Sequence, residues 1–306
     1  MVTRAMGVTA EVTPAELPLP GGQDGATVRL HPLLTGTAVG ADAFFHRHPG
    51  RLAGLRAMGF RVPDDGWVQF PMPAFCVEHP HAGPILIDTG MHASVAVNPR
   101  DSMGPVQTFP FKDFAMDSSQ AIPAQLRARG IDPGHVPLVV MTHLHADHTS
   151  GMSQFPHATF LFTAEEWRAA NRQGELHGYR KRHFDHAFDY RTINFDGAGT
   201  QSFATFGRSF DLFGDGSVRL VSTPGHTRGH MSVVLRLSDR EALVAGDAIY
   251  TMDTLLDTRI PPRMEDEHKF MRSLREIRLY ADQTERALII PGHDMDAWNL
   301  LLKVYE

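Results

Sequence analysis

Short apolar runs, each closed by Gly, Pro, Asp or His, recur along the chain, and most are too short to be helices. Residues 27–39 (TVRLHPLLTGTAV), 67–79 (WVQFPMPAFCVEH) and 84–90 (PILIDTG) read as strands. So do 137–143 (PLVVMTH), 158–164 (ATFLFTA), 218–226 (VRLVSTPGH), 231–237 (MSVVLRL), 241–248 (EALVAGDA) and 287–293 (ALIIPGH). Helical patterns are fewer. Residues 118–130 offer Ser118 or Ser119 as a cap, Pro123 in the first turn and Gly130 as a stop. Residues 165–173 (EEWRAANRQ) follow a strand as a helix, and 267–281 put Phe270, Met271, Leu274 and Ile277 on one face. Between 43 and 60, Leu52, Leu55 and Met58 recur at helical spacing, which suits a helix covering the core or walling a pocket.

The remainder is irregular. Residues 1–26, rich in Pro, Gly and Thr, read as an arm; 174–200 read as loop and helix fragments. The expected organisation is that arm followed by one domain over 27–306, with 41–66 as an insertion acting as a lid or a dimer contact. Many strands with few long helices suggest stacked sheets with helices outside, an α/β (α+β) arrangement. Five strands end alike, in an apolar run and a turn that delivers Asp88, His143, His226, Asp247 or His293. Side chains delivered from strand ends sit on a rigid scaffold, as a preorganised site requires.

Composition removes several classes. The length, 306 residues, fits one large domain or two small ones, and 42% hydrophobic with 21% charged residues is ordinary globular usage. A net charge of −6 gives no basic footprint for nucleic acid. The single cysteine, Cys76, rules out an intramolecular disulfide or a thiolate metal cluster. The first residues lack the apolar core of a signal peptide, and no apolar run is long enough to span a bilayer, so a cytoplasmic protein with no membrane or nucleic-acid partner is expected. The unusual number is 18 histidines.

Several of these cluster in His143-Leu144-His145-Ala146-Asp147-His148, immediately after an apolar strand. Residues two apart in an extended segment can face one side, and Asp147 and His148 follow across a turn. Imidazole and carboxylate donors suit zinc, iron and related divalent ions. His143, His145, Asp147, His148, His226, Asp247 and His293 would overfill one ion. Seven donors fit two ions sharing one carboxylate.

THLHADHTSG at 142–151 resembles the signature of the metallo-β-lactamase fold superfamily, and IDTG (87–90), TPGHTRGH (223–230), AGDA (245–248) and PGHD (291–294) resemble its further motifs in order. The resemblance spans roughly residues 67–294. It implies a four-layer αββα sandwich with two metals at one edge, zinc first, with iron, cobalt and manganese also compatible. It further implies that His143, His145 and His226 hold one ion, that Asp147, His148 and His293 hold the other, and that Asp247 bridges them. Asp88 would orient the ligand turns from behind. His230 is expected to be structural, and His177, His183 and His186 to be solvated or loop-packing.

The implied chemistry is hydrolysis by a metal-bridging hydroxide. A ligating His148 argues against typical β-lactamases. Tyr250, three residues after Asp247, resembles the tyrosine of the N-acyl homoserine lactonase, or quorum-quenching, branch, which implies a lactone substrate. There Tyr250 would polarise the carbonyl and Asp147 would pass a proton to the departing alkoxide. A thioesterase of the glyoxalase II kind and a phosphodiesterase are the rivals within the fold. The former is disfavoured because no basic helical extension follows residue 293, the latter by the acidic balance. Phe44, Phe45, Met58, Met72, Phe75 and Met152, apolar and near predicted loops, are candidates for the substrate pocket.

Overall fold

Side chains alternate across the strand Trp67–His79: Phe75 and Val77 face one side, Ala74 and Cys76 the other, and all four are buried. A strand buried on both faces needs cover on both, and this requirement builds the layers. The structure is a computed structural model and describes residues 9–306. It contains two sheets. The eight-stranded sheet runs, edge to edge, Thr13–Pro14, Asp189–Ile193, Thr159–Thr163, Leu138–Val140, Gly83–Ile87, Trp67–His79, Arg29–Ala41 and Phe111–Ala115. The six-stranded sheet runs Leu288–Pro291, Glu241–Gly246, Met231–Arg236, Val218–Ser222, Phe206–Asp211 and Gln201–Phe203.

Three apolar layers hold these together. Between the sheets, Leu30, Phe75, Val77, Ile87 and Val140 meet Leu220, Val233, Leu235 and Val244. On the outer face of the larger sheet, Leu86, Val139 and Phe160 lie beneath Ile122, Leu126 and Ala170 of the helices Ile122–Arg127 and Ala164–Arg172. On the outer face of the smaller sheet, Val221, Val234 and Leu243 receive Phe270, Leu274, Ile277 and Tyr280 of the helix Glu267–Gln283, which Asp266 caps by accepting from Lys269 N–H at 3.0 Å. The expected αββα sandwich is the observed one.

Some elements differ from expectation. The helix sought at 118–130 is a 3₁₀ turn, Ser118–Gln120, followed by Ile122–Arg127, and its cap is Asp117, which accepts from Ser119 N–H at 2.8 Å. The strands Phe111–Ala115, Asp189–Ile193, Gln201–Phe203 and Phe206–Asp211 were not anticipated. In the arm, Thr13–Pro14 pairs in parallel with Asp189–Ile193, and Leu17 and Leu19 pack on the inter-sheet core. The part of the arm at 1–8 lies outside the described residues. The helix Ala53–Ala57 leaves Leu52 and Leu55 exposed, so it does not cover the core. No helix among the described residues is long and apolar enough to cross a membrane.

Direction positions the site. Gly83–Ile87 and Leu138–Val140 are parallel, as are Glu241–Gly246 and Leu288–Pro291, so their C-terminal ends emerge at a common edge of each sheet. The turns leaving those ends carry the candidate ligands.

Candidate metal centre

Four ligand atoms, from His143, His145, His226 and Asp247, lie within 4.8 Å of one another; those of Asp147, His148 and His293 form a second group of the same tightness. Asp247 divides its carboxylate between them. Its Oδ2 is 3.2 Å from His226 Nε2 and 3.8 Å from His143 Nε2, and its Oδ1 is 3.3 Å from Nε2 of both His148 and His293. Asp147 Oδ2 faces the same two histidines at 3.5 and 3.4 Å. The first group therefore joins turns from both sheets.

The environment suits a cation. His143 Nε2, His145 Nε2, His148 Nε2 and Asp247 Oδ1 are buried with no hydrogen-bond partner among the described residues. Four orphaned buried polar atoms converging on one place are costly unless a ligand satisfies them. Burial pushes His143 and His226 well below their ordinary range and His145 down to about 4, which leaves neutral imidazoles with free lone pairs. For His148 and His293 burial acts downward as well, but the carboxylates around them outweigh it: Asp147, Asp88 and Asp247 raise His148, and Asp247 and Asp147 raise His293 to about 10. Burial opposes ionisation of Asp147 and Asp247, yet the facing histidines hold Asp147 near 2 and Asp247 well below the carboxylate range. The neutral imidazoles of His143, His145 and His226 beside the ionised Asp247 are the donor set of a borderline divalent ion such as zinc, whereas His148 and His293 would have to release a proton to bind one. Gly292 lets the last turn pass close by: a Cβ there would stand 2.7 Å from Asp247 Oδ1.

Behind the donors lie groups that fix them. Asp88, at φ 59°, is a non-glycine residue in the left-handed region, held there while its carboxylate accepts from Thr142 N–H (2.8 Å), the Thr142 hydroxyl (2.7 Å) and His148 Nδ1 (2.8 Å). His230 belongs to neither ligand group. Its Nε2 accepts from Asp247 N–H at 3.0 Å, and burial holds the ring neutral by pushing it down to about 3. His183 is buried against Thr149 and the Ser102 carbonyl, His177 is exposed, and His186 stacks on Phe188.

Sequence reasoning missed Glu166, a buried carboxylate hydrogen-bonded to the ligand turns. Burial pushes it up to about 7, against the pull of Thr227 and Leu144 toward the ionised form. The one signal for it was the Thr163-x-x-Glu166 spacing of a helix start.

An aromatic wall closes one side. Phe44 stacks on Tyr250 (centroids 6.4 Å apart, planes at 14°), and Phe45 meets Tyr250 edge-on at 5.8 Å and His293 at 6.2 Å. Met72 and Ala146 belong to the same apolar cluster. The other pocket candidates do not. Phe75 points into the layer between the sheets, because alternation along its strand turns it away from the site. Met152 is buried on the outer face of the larger sheet, and Met58 ends the helix Ala53–Ala57 outside the cluster. Apolarity near a loop does not distinguish core from pocket, and Phe75, Met152 and Met58 lie outside this wall. The Tyr250 hydroxyl lies 3.3 Å from His226 Nδ1, and burial, aided by Asp247 and Asp147, keeps it protonated far above neutrality.

Comparison with known proteins gives a concordant result. The profile described as Metallo-beta-lactamase superfamily matches residues 73–293. The N-acyl homoserine lactonase AttM of Rhizobium radiobacter is 32% identical over 242 residues, which are 78% of this chain and 87% of that protein. Among solved structures, an N-acyl homoserine lactone hydrolase with the product N-hexanoyl-L-homoserine bound at its catalytic metal centre superimposes with a TM-score of 0.71 at 22% identity, covering 90% of this chain and 97% of the other. AidC, a dizinc quorum-quenching lactonase, gives 0.58 at 14% identity, with 90% of each chain covered.

Proposed function

We propose that this chain, which belongs to the metallo-β-lactamase superfamily, opens the ring of N-acyl homoserine lactones with the help of two divalent ions, zinc foremost. In this reading His143, His145 and His226 hold one ion, Asp147, His148 and His293 hold the other, and Asp247 serves both. The observation that carries it is the divided Asp247 carboxylate, with one oxygen toward each group of donors. The 32% identity to a lactonase along most of the chain supports the substrate class.

Bound divalent ions supply a water of near-neutral pKa and polarise a carbonyl. The protein's own part is to position and to move protons. Asp247, anchored through its backbone by His230, fixes the separation of the two halves. The buried Tyr250 hydroxyl, protonated at neutral pH, donates to the carbonyl oxygen as negative charge develops there. Asp147 is the most open of the charged donors, with its side chain 21% exposed. Its Oδ2 faces His148 and His293, which leaves Oδ1 to carry the proton lost by the attacking water to the departing ring oxygen. Phe44 and Phe45 shield the reacting face from solvent.

The test is a ring-opening titration against homoserine lactones of graded acyl length, with metal content measured on the same sample and a thioester and a bis-aryl phosphate run alongside. Lactone turnover exceeding both comparators is expected; faster thioester or phosphate hydrolysis would replace the proposed substrate. Asp147→Asn should bring lactone hydrolysis to background, and a variant that keeps the full rate removes Asp147 from the proton path.

A further inference from the structure

Asp88 steadies one half of the ligand cluster through His148. The other half has a buried carboxylate of its own. Glu166 is 0% exposed in the first turn of the helix Ala164–Arg172. Its backbone N–H donates to the Thr163 hydroxyl at 3.0 Å, as an N-cap requires, but its side chain does not turn back to complete the reciprocal cap. Instead Oε1 accepts from Leu144 N–H at 2.9 Å, and Oε2 accepts from the Thr227 hydroxyl at 2.7 Å and from Gly229 N–H at 3.2 Å.

Those partners sit at telling positions. Leu144 lies between His143 and His145, and Thr227 follows His226. One carboxylate therefore ties together two turns, leaving different sheets, that carry all three histidines of one ligand group. The approach is close. The Thr163 hydroxyl donates to the Gly229 carbonyl at 2.8 Å, and a Cβ on Gly229 would stand 2.2 Å from Glu166 N. None of the three bonds goes to Asp147, His148 or His293.

We infer that Glu166 is the positioning residue of the His143, His145 and His226 group, setting the distance between its two turns, so that its loss weakens one ion site and spares the other. The inference rests on the two-ion reading above. In Glu166→Gln one oxygen becomes an NH₂, so a backbone or hydroxyl donor meets a donor and at least one turn loses its tether.

The experiment titrates the metal-free chain with Co²⁺ and follows the visible absorption of each ion as it binds. The wild-type chain should take up two. Glu166→Gln should bind one ion as tightly as wild type and the other about 10- to 100-fold more weakly, the range for loss of an outer-shell partner. Adding His293→Ala to Glu166→Gln should remove the remaining tight ion, whereas adding His145→Ala should leave it. Thr227→Val keeps the carboxylate and removes one donor; it should weaken the same ion by a smaller factor, and it carries the test if Glu166→Gln fails to fold. Two ions bound at wild-type strength by Glu166→Gln, or by Thr227→Val in its place, or both ions weakened equally, would overturn the inference alone. A wild-type chain that takes up a single ion would overturn the two-ion reading and this inference with it.

Discussion

Tyr250 stands three residues beyond Asp247, on the turn leaving the strand Glu241–Gly246, so one rigid strand end presents both the shared carboxylate and a buried hydroxyl. If that hydroxyl meets the developing oxyanion, Tyr250→Phe should slow ring opening by roughly 10- to 100-fold, as loss of an electrostatic donor does. Metal content should be unchanged. Steady-state kinetics with metal analysis on the same preparation checks this, and a variant that loses metal instead would make Tyr250 a support for His226. Residues of this kind were legible because their chemistry is concentrated: four donors in six residues after an apolar strand, and an Asp or His at each of three later strand ends. Glu166 was not legible. It sits in a helix whose polar residues look like a solvated face, and only the folded chain turns it inward to reach residues 22 and 61 positions away.

The segment at 42–48 precedes the matched family region, and its Phe44 and Phe45 lie against Tyr250. Its apolar pair, Phe44 and Phe45, is fastened by a polar clasp. Asp42 takes His46 Nδ1 at 2.6 Å on one oxygen, and His48 Nε2 at 2.6 Å and Arg259 at 3.3 Å on the other. His46 Nε2 meets the Thr251 hydroxyl at 2.9 Å. The bond to His46, then that to His48, holds the Asp42 carboxyl near 2 despite partial burial. Asp42→Asn weakens the clasp and frees the aromatic wall. The expected result is a KM for long-chain lactones raised about 3- to 10-fold, with a smaller change in kcat, in line with the roughly 1 kcal/mol of one weakened hydrogen bond. An unchanged KM across acyl lengths would separate this segment from substrate binding. Buried strands and the long amphipathic helix were readable because one period runs through each. The strands Phe111–Ala115, Asp189–Ile193, Gln201–Phe203 and Phe206–Asp211 escaped because their exposed or half-buried positions lack a clean alternation, and pairing with a neighbour defines them.

Across the whole molecule, the arm is bound by more than its short strand. Asp215, buried near the start of the strand Val218–Ser222, accepts from Gln23 N–H at 2.9 Å, Ser217 N–H at 2.8 Å and His79 Nε2 at 3.1 Å. Burial acts against its ionisation, but these donors prevail and hold it near 2, against an ordinary value of 3.8. A depressed carboxyl stabilises the folded chain above its unfolded value and loses that contribution as pH falls toward its folded value. Asp215 should thus contribute about 2 kcal/mol near neutrality and progressively less between about pH 4 and pH 2. Urea unfolding of the metal-free chain at pH 7 and at low pH should show Asp215→Asn less stable at pH 7 and the gap from wild type shrinking on acidification. A gap that stays constant would mean that the carboxylate's charge is not what ties the arm down. The sequence showed the arm only as Pro- and Gly-rich; its partners lie nearly two hundred residues on, beyond the reach of local pattern.

The strand Leu288–Pro291 lies at the outer edge of the smaller sheet, in parallel beside Glu241–Gly246, and delivers His293, the last donor along the chain. Its one partner in that sheet is the strand beside it. Without that edge the group of Asp147 and His148 would lack its third residue, whereas His143, His145 and His226 come from turns elsewhere in the two sheets. On the two-ion reading, uptake of the second ion would therefore report whether that last edge of the sheet is seated.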